Sequence, residues 1–217
     1  PVGWLHIGVG AHAITGHNLV SITQAFADTT VFKPFRQNRI LAFEGSAASA
    51  GVEIVGDNFS AGLSARLGGS LHLAVEDTSL GSARVPNSFG ASVAYNGIAN
   101  SQIAIRTSRD QWSALGGLGS PTLKGVDAWD TSIGADMAGP TIGSRLVFVR
   151  GGFRARTLPF TADGAQVRER SITGGLGTSF ASGRVLADFA VIHAARSADI
   201  GASEHAWTLS FGFTVRP

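Results

Sequence analysis

Arg150, Arg154 and Arg156 stand at even spacings, so on a β-strand their guanidiniums project from one face. Arg184 and Asp188 share a face of a later segment, and Arg66, His72, Glu76, Arg106, Asp130 and Asp136 occupy matching polar positions in theirs. Guanidiniums on one wall do either of two things. They neutralise carboxylates of neighbouring strands in a salt-bridged network, or they take the carboxylate of a ligand in their planar fork. The sequence offers no catalytic constellation. It has no G-x-S-x-G elbow, P-loop, G-x-G-x-x-G after a strand, or H-E-x-x-H. The histidines His6, His12, His17, His72, His193 and His205 fall at no metal-ligand spacing and read as wall residues, and there is no cysteine. The expectation is a protein without enzymatic activity, metal or cofactor.

Glycine makes 29 of 217 residues and charged residues only 15%, against about 7% and about 25% in typical domains. With a mean hydropathy of +0.18, a disordered chain is excluded. Seventeen basic against fifteen acidic residues is a weak basis for binding nucleic acid. Residues 1–27 carry no formal charge, yet His6, His12, His17, Asn18 and Gln24 with four glycines are too polar for a membrane helix.

What organises the chain is period two. Trp207, Leu209, Phe211, Phe213 and Val215 share one parity and Thr208, Ser210, Gly212 and Thr214 the other. The same alternation runs through Phe59–Leu67, Leu71–Val75, Phe89–Tyr95, Trp129–Met137, Val147–Phe153, Ile172–Phe180 and Val185–Val191. The predicted strands are 4–14, 39–45, 50–56, 58–67, 70–77, 88–96, 101–109, 127–138, 144–156, 168–180, 184–195 and 205–215. Residues 39–56 also read as one long strand, and 15–38 as a long connection with apolar content (Leu19, Val20, Ile22, Phe26, Val31, Phe32). Short connections at 67–70, 96–101, 138–144 and 181–183 alternate with long ones at 78–87, 110–126, 157–167 and 196–204. That describes an up-and-down antiparallel sheet with two different ends, the asymmetry of outer-membrane barrels.

A solvated sheet alternates too, but its polar face carries lysine and glutamate. Here that face is Ser, Gly, Thr and Ala with an occasional Arg, Asp, Glu or His, and the chain holds only Lys33 and Lys124. Aromatics of the apolar parity gather at strand ends. Phe59, Phe89, Trp129, Phe153 and Trp207 are expected at one membrane border and Tyr95, Phe180 and Phe213 at the other, as a lipid-facing girdle. The charged candidates must then face inward, because a charge on the lipid face costs ~2–4 kcal/mol at the midplane. Trp112, Leu115, Leu118, Leu158 and Phe160 in the long loops offer either a landing site for a hydrophobic ligand or loop packing.

Two stretches carry a resemblance. Arg84-Val85-Pro86-Asn87-Ser88-Phe89-Gly90, followed by a hairpin and Asp110-Gln111-Trp112-Ser113, resembles the FadL/TodX family of outer-membrane transporters. Arg150-Gly151-Gly152-Phe153-Arg154-Ala155-Arg156-Thr157-Leu158-Pro159-Phe160 resembles a later strand and loop of that family, and the Gly174–Gly177 hairpin and last aromatic strand follow in order. Over residues 58–217 the resemblance implies the C-terminal portion of a fourteen-stranded barrel, plugged by an N-terminal hatch, that passes fatty acids or other hydrophobic compounds inward. The sequence departs from that pattern: no hatch with an Asn-Pro-Ala-type motif is present, and the chain ends in Arg216-Pro217 rather than an aromatic.

The expectation is therefore an all-β, up-and-down antiparallel transmembrane β-barrel over residues 1–217, with about twelve strands. It lies in a Gram-negative-type outer membrane with its C-terminus periplasmic. Its partners are outer-membrane lipid and a small hydrophobic ligand, with other envelope proteins as an open class and no nucleic acid. A structural or partner-binding barrel without transport is the alternative, and a soluble β-sandwich binding module the third reading.

Overall fold

The computed structural model describes residues 3–24, 33, 35–76, 78–118, 125–143, 145–162, 164–180, 184–199 and 201–215. Among them eleven strands are β1 Leu5–Gln24, β2 Phe35–Val55, β3 Phe59–Val75, β4 Thr78–Arg84, β5 Ser88–Tyr95, β6 Gln102–Asp110, β7 Ala128–Ile142, β8 Arg145–Ala162, β9 Ala165–Phe180, β10 Val185–Ser197 and β11 Ser203–Val215. All belong to one antiparallel sheet in the order β1-β2-β3-β5-β6-β7-β8-β9-β10-β11, with β4 also on β3. Chain neighbours are sheet neighbours, the up-and-down pattern. The sheet does not close, since β1 and β11 pair with no second described strand. Both chain ends lie at its proximal end, where Leu5 pairs with Ile54 and Val215 with Val185.

The strands are longer and fewer than the alternation predicts. Segments 39–45 and 50–56 are one strand, β2, and β1 runs to Gln24, so the ends of the supposed 15–38 connection are paired strand. Phe26, Val31 and Phe32 lie outside the described residues, as do Lys124, the 181–183 turn and the terminal Arg216-Pro217. The 157–167 connection is largely the distal part of the β8–β9 hairpin, closed at Gly164, whose φ of +82° favours glycine.

Leu67-Gly68-Gly69-Ser70 is not a turn. β3 runs straight through it with a bulge, because Ala47 pairs with Gly68 while Gly45 pairs with Leu71. The glycines serve a close approach: a Cβ on Gly68 would collide with the Val85 carbonyl. Val85-Pro86-Asn87 breaks the strand beyond, so β4 pairs with Ser70–Val75 and β5 with Phe59–Arg66 on the same edge of β3. Pro86 brings no N–H to the ladder. The Asn87 side chain instead accepts from Gly68 N at 2.9 Å and donates to Gln111 Oε1 at 2.9 Å. A short 3-10 helix, Trp112–Leu118, packs beside β4, with Leu118 against Gly81.

The two faces differ as alternation predicts. The apolar rank stays exposed along the sheet: Ile7, Leu63, Val93, Ile133, Ile172, Leu209 and Phe211 are among its members. Among the described residues only a few small contacts are buried, such as Leu158 with Val167 and Ala198, and no large side chain is fully enclosed. The apolar ranks therefore do not meet in a closed interior, as a sandwich requires.

Register adds a shear. One rung runs Tyr95–Ile103–Ala135–Gly151–Gly174–Val191–Leu209. It begins at the proximal end of β5 but lies six residues inside the proximal end of β11. Such a stagger is what lets a sheet curl into a barrel.

Candidate functional site

The polar face divides into two walls. On β7–β11 it is a ladder of ion pairs. Arg150 donates from Nε to Asp136 at 2.8 Å and also reaches Asp188. Arg154 donates to Asp130 at 2.8 Å. Glu169, 5% exposed, accepts from Arg156 Nε at 2.7 Å and from Arg196 Nε at 2.6 Å, and Arg196 continues to Glu204 at 3.3 Å. These three groups of ion pairs together tie strands β7, β8, β9, β10 and β11 to one another along the wall.

On β1–β6 the same face is small: Gly8, Gly10, Ser49, Gly51, Gly62, Ser64, Gly90 and Ser92 follow one another across the strands. Two adjoining hollows of about 510 and 400 Å³ share Gly8, Gly51 and Ser64. Arg106 lines the first and Arg66 the second. Neither arginine has a carboxylate partner among the described residues, and the buried Nε of Arg66 has no hydrogen-bond acceptor there. His12 bonds Ser49 Oγ at 2.8 Å, and His6 lies 3.5 Å from Glu53. Arg66 thus stands over a floor of glycine and serine, whereas the hollow of Arg106 also holds Glu53 beside His6; neither cation is within salt-bridge distance of a carboxylate among the described residues, which leaves them open to an anionic head group.

The structure thus brings together Arg150, Arg154, Arg156, Asp130, Asp136 and Asp188, and adds Glu169, Arg196 and Glu204. Arg184 stands exposed in the turn before β10, and Asp188 takes Arg150 in its place. His72 and Glu76 do not share the facing of Arg66. The bulge at Gly68–Gly69 inserts one residue and reverses the parity of β3 beyond it, so His72 pairs with Glu44 on the apolar face. Glu76 lies past the end of β3 at φ +45°, 3.7 Å from Arg39. His17, His193 and His205 also fall on the apolar parity, leaving His6 and His12 as the polar-wall histidines.

The aromatic borders need two corrections. Phe59 pairs with Tyr95 at the proximal end, because β3 runs opposite to the direction a turn at 67–70 would impose. Phe153 sits between Ile133 and Ile172, within the aliphatic band. The remaining residues follow two lines. Trp129, with Arg109 stacked 5.4 Å from its ring, lies two rungs above the rung of Trp207. Phe213 lies two rungs below that of Tyr95, with Phe180 one further, under the Arg145 guanidinium. Both lines descend with the shear. Of the loop residues, Leu158 is buried in packing, Trp112, Leu115 and Leu118 are half-buried and Phe160 is exposed.

A further hollow of about 750 Å³ lies on the apolar face, floored by Ala50, Ala65 and Ala91 and bordered by Phe89, Arg109 and Trp129. Sequence reading also passed over Arg109, Arg168 and Arg170, cations on the apolar parity. The signal was available, since Arg168 and Arg170 share the even numbering of Ile172 and Leu176.

No protein-family model matches the chain, and no curated protein matches it. Among solved structures, the CymD monoaromatic hydrocarbon channel is similar in fold, with a TM-score of 0.56 at 12% identity over 99% of this chain and 70% of that one.

Proposed function

We propose that this chain is wall of an outer-membrane β-barrel of FadL-like type that passes small hydrophobic molecules, fatty acids among them. The observation that carries the reading is the exposed apolar face, bounded by two aromatic lines that run parallel and descend with the shear. A solvated protein has no use for such a belt, whereas a bilayer requires one on a tilted sheet. The fold shared with a hydrocarbon channel supports the same reading. The polar face is then the lumen, its braced half rigid and its glycine and serine half the smooth track. Arg66 and Arg106 stand ready there for a ligand's carboxylate. On this reading the proximal end, with the turns 56–58 and 96–101, is the periplasmic one, and Val215 lies at that end.

The ion-pair ladder equally favours a barrel that serves only as a structural or partner-binding element. Reconstitution decides between them. The protein should fold into detergent or vesicles with heat-modifiable gel mobility, and its liposomes should take up a monoaromatic hydrocarbon and laurate faster than empty ones. Folded protein without uptake leaves the structural barrel, and protein that is soluble and inserts into no bilayer sinks both.

A further inference from the structure

We infer that the apolar face carries, at its distal border, a seat for the phosphate of a membrane lipid, formed by Arg170, His193 and His205. The inference rests on the membrane reading above. Arg170 shares the parity of Ile172 and Leu176, is exposed, and pairs with Ala155 on one side and Ala195 on the other. It has no carboxylate partner among the described residues, unlike Arg150, Arg154, Arg156 and Arg196 on the other face.

Two imidazoles share its position. His205 lies on the rung of Arg170, beyond Ala195, and His193 one rung below. Their rings are stacked within 9° with centroids 5.6 Å apart, and His193 lies 4.5 Å from the Trp207 ring. The nearby Arg168 is already matched by Asp199 at 3.7 Å. Ile172 and Trp207 flank His193 on its own line, and below it come Val191, Leu209 and Gly174, where a Cβ would meet nothing within 4 Å.

A cation facing lipid is tolerable at the border, where its cost falls away. At that depth the negative charge every phospholipid presents is the phosphate of its head group. The planar fork of arginine matches phosphate bidentately, and imidazole N–H groups beside it add donors. The opening at Gly174 leaves room for the first segment of an acyl chain beneath that phosphate. A lipid held in this way is a specific partner of the barrel wall, distinct from anything passing through the lumen.

The test uses folded protein in nanodiscs of phosphatidylcholine containing a minor share of phosphatidic acid, released gently and weighed by native mass spectrometry. Wild-type protein should retain phosphatidic acid about tenfold over its share, equivalent to one charge-assisted contact of ~1.4 kcal/mol. Arg170→Gln with His205→Gln should bring retention to within about twofold of the bulk ratio, and Arg170→Lys should keep most of it. No preference in the wild type, or an undiminished one in the double variant, overturns the seat. Heat-modifiable mobility and vesicle insertion, scored on the same samples, separate that failure from failure of the membrane reading, which would abolish insertion altogether.

Discussion

Arg150 on β8 is salt-bridged to Asp188 on β10 across the whole width of β9. The crossing is possible because β9 presents Gly177 there. A Cβ on Gly177 would lie 2.5 Å from Asp188 Oδ1 and 3.5 Å from Arg150 Cζ. The glycine is needed for the space above it, not for its backbone angles.

Gly177→Val should therefore push Arg150 off Asp188 while leaving its bond to Asp136. The expected cost is about 1–3 kcal/mol, the range for a lost charged hydrogen bond or a crowded contact. Urea unfolding of protein inserted in vesicles measures it, with Gly174→Val as the control, since nothing lies above Gly174. Equal effects at the two glycines would show that the crossing contributes nothing.

Glu169 and Glu204 both bind Arg196, but only Glu169 is buried and shared with Arg156. Glu169→Gln leaves two guanidiniums short of charge in a partly dry wall and should cost about 3 kcal/mol. Glu204→Gln, on an exposed edge strand, should cost under about 0.5 kcal/mol. The difference between the two unfolding midpoints checks the ladder; similar midpoints would reduce it to a set of surface pairs.

Most of the sheet was legible because side-chain alternation survives wherever a strand is regular. The parity of Trp207–Val215 and Phe89–Tyr95 places these residues correctly on the apolar face. Reading failed where geometry is not periodic. Gly68-Gly69 has the composition of a turn but holds a bulge, and that one inserted residue misplaced His72 and reversed the expected run of β3. Partners were also invisible: parity puts Arg66 and Arg150 on one face, but only register shows Arg150 between two aspartates and Arg66 opposite Ser49 and Ser88. Arg170 was illegible as a site because its even parity puts a charge in the rank of Ile172 and Leu176, against the expectation that charges keep to the polar face.

Arg66 and Arg106 lack a carboxylate within salt-bridge distance among the described residues, and this makes them the arginines to test for ligand contact. Arg66→Gln with Arg106→Gln should slow laurate uptake into proteoliposomes about fivefold, the loss of roughly 1 kcal/mol of charge-assisted binding. Uptake of a neutral monoaromatic hydrocarbon should change by less than about twofold, because it carries no charge for either guanidinium to bind. If both substrates slow alike, the two arginines hold the wall rather than the ligand.

The connection between β6 and β7 is fastened by Asp127, just outside the strand. Its Oδ1 accepts from Ser113 Oγ at 2.6 Å and Ser113 N at 3.3 Å, its Oδ2 accepts from Arg109 Nη2 at 2.9 Å, and its carbonyl accepts from Gln166 at 2.8 Å. The Ser113 hydroxyl first, and the Arg109 guanidinium after it, hold the carboxyl below its ordinary value against the opposing effect of burial. A carboxyl lowered on folding stabilises the fold above its unfolded pKa of about 3.9 and loses that contribution as pH falls through the lower folded value. Trp112, next to Ser113, should therefore keep its fluorescence from neutral pH to about pH 4 and change only below it, with the strands of the sheet intact by circular dichroism. Asp127→Asn should show the altered emission already at pH 7, and Trp112→Phe should remove the signal. A transition between pH 5 and 7 in the wild type, or none in the acid range, would mean that the Ser113–Asp127 fastening does not hold this connection in place.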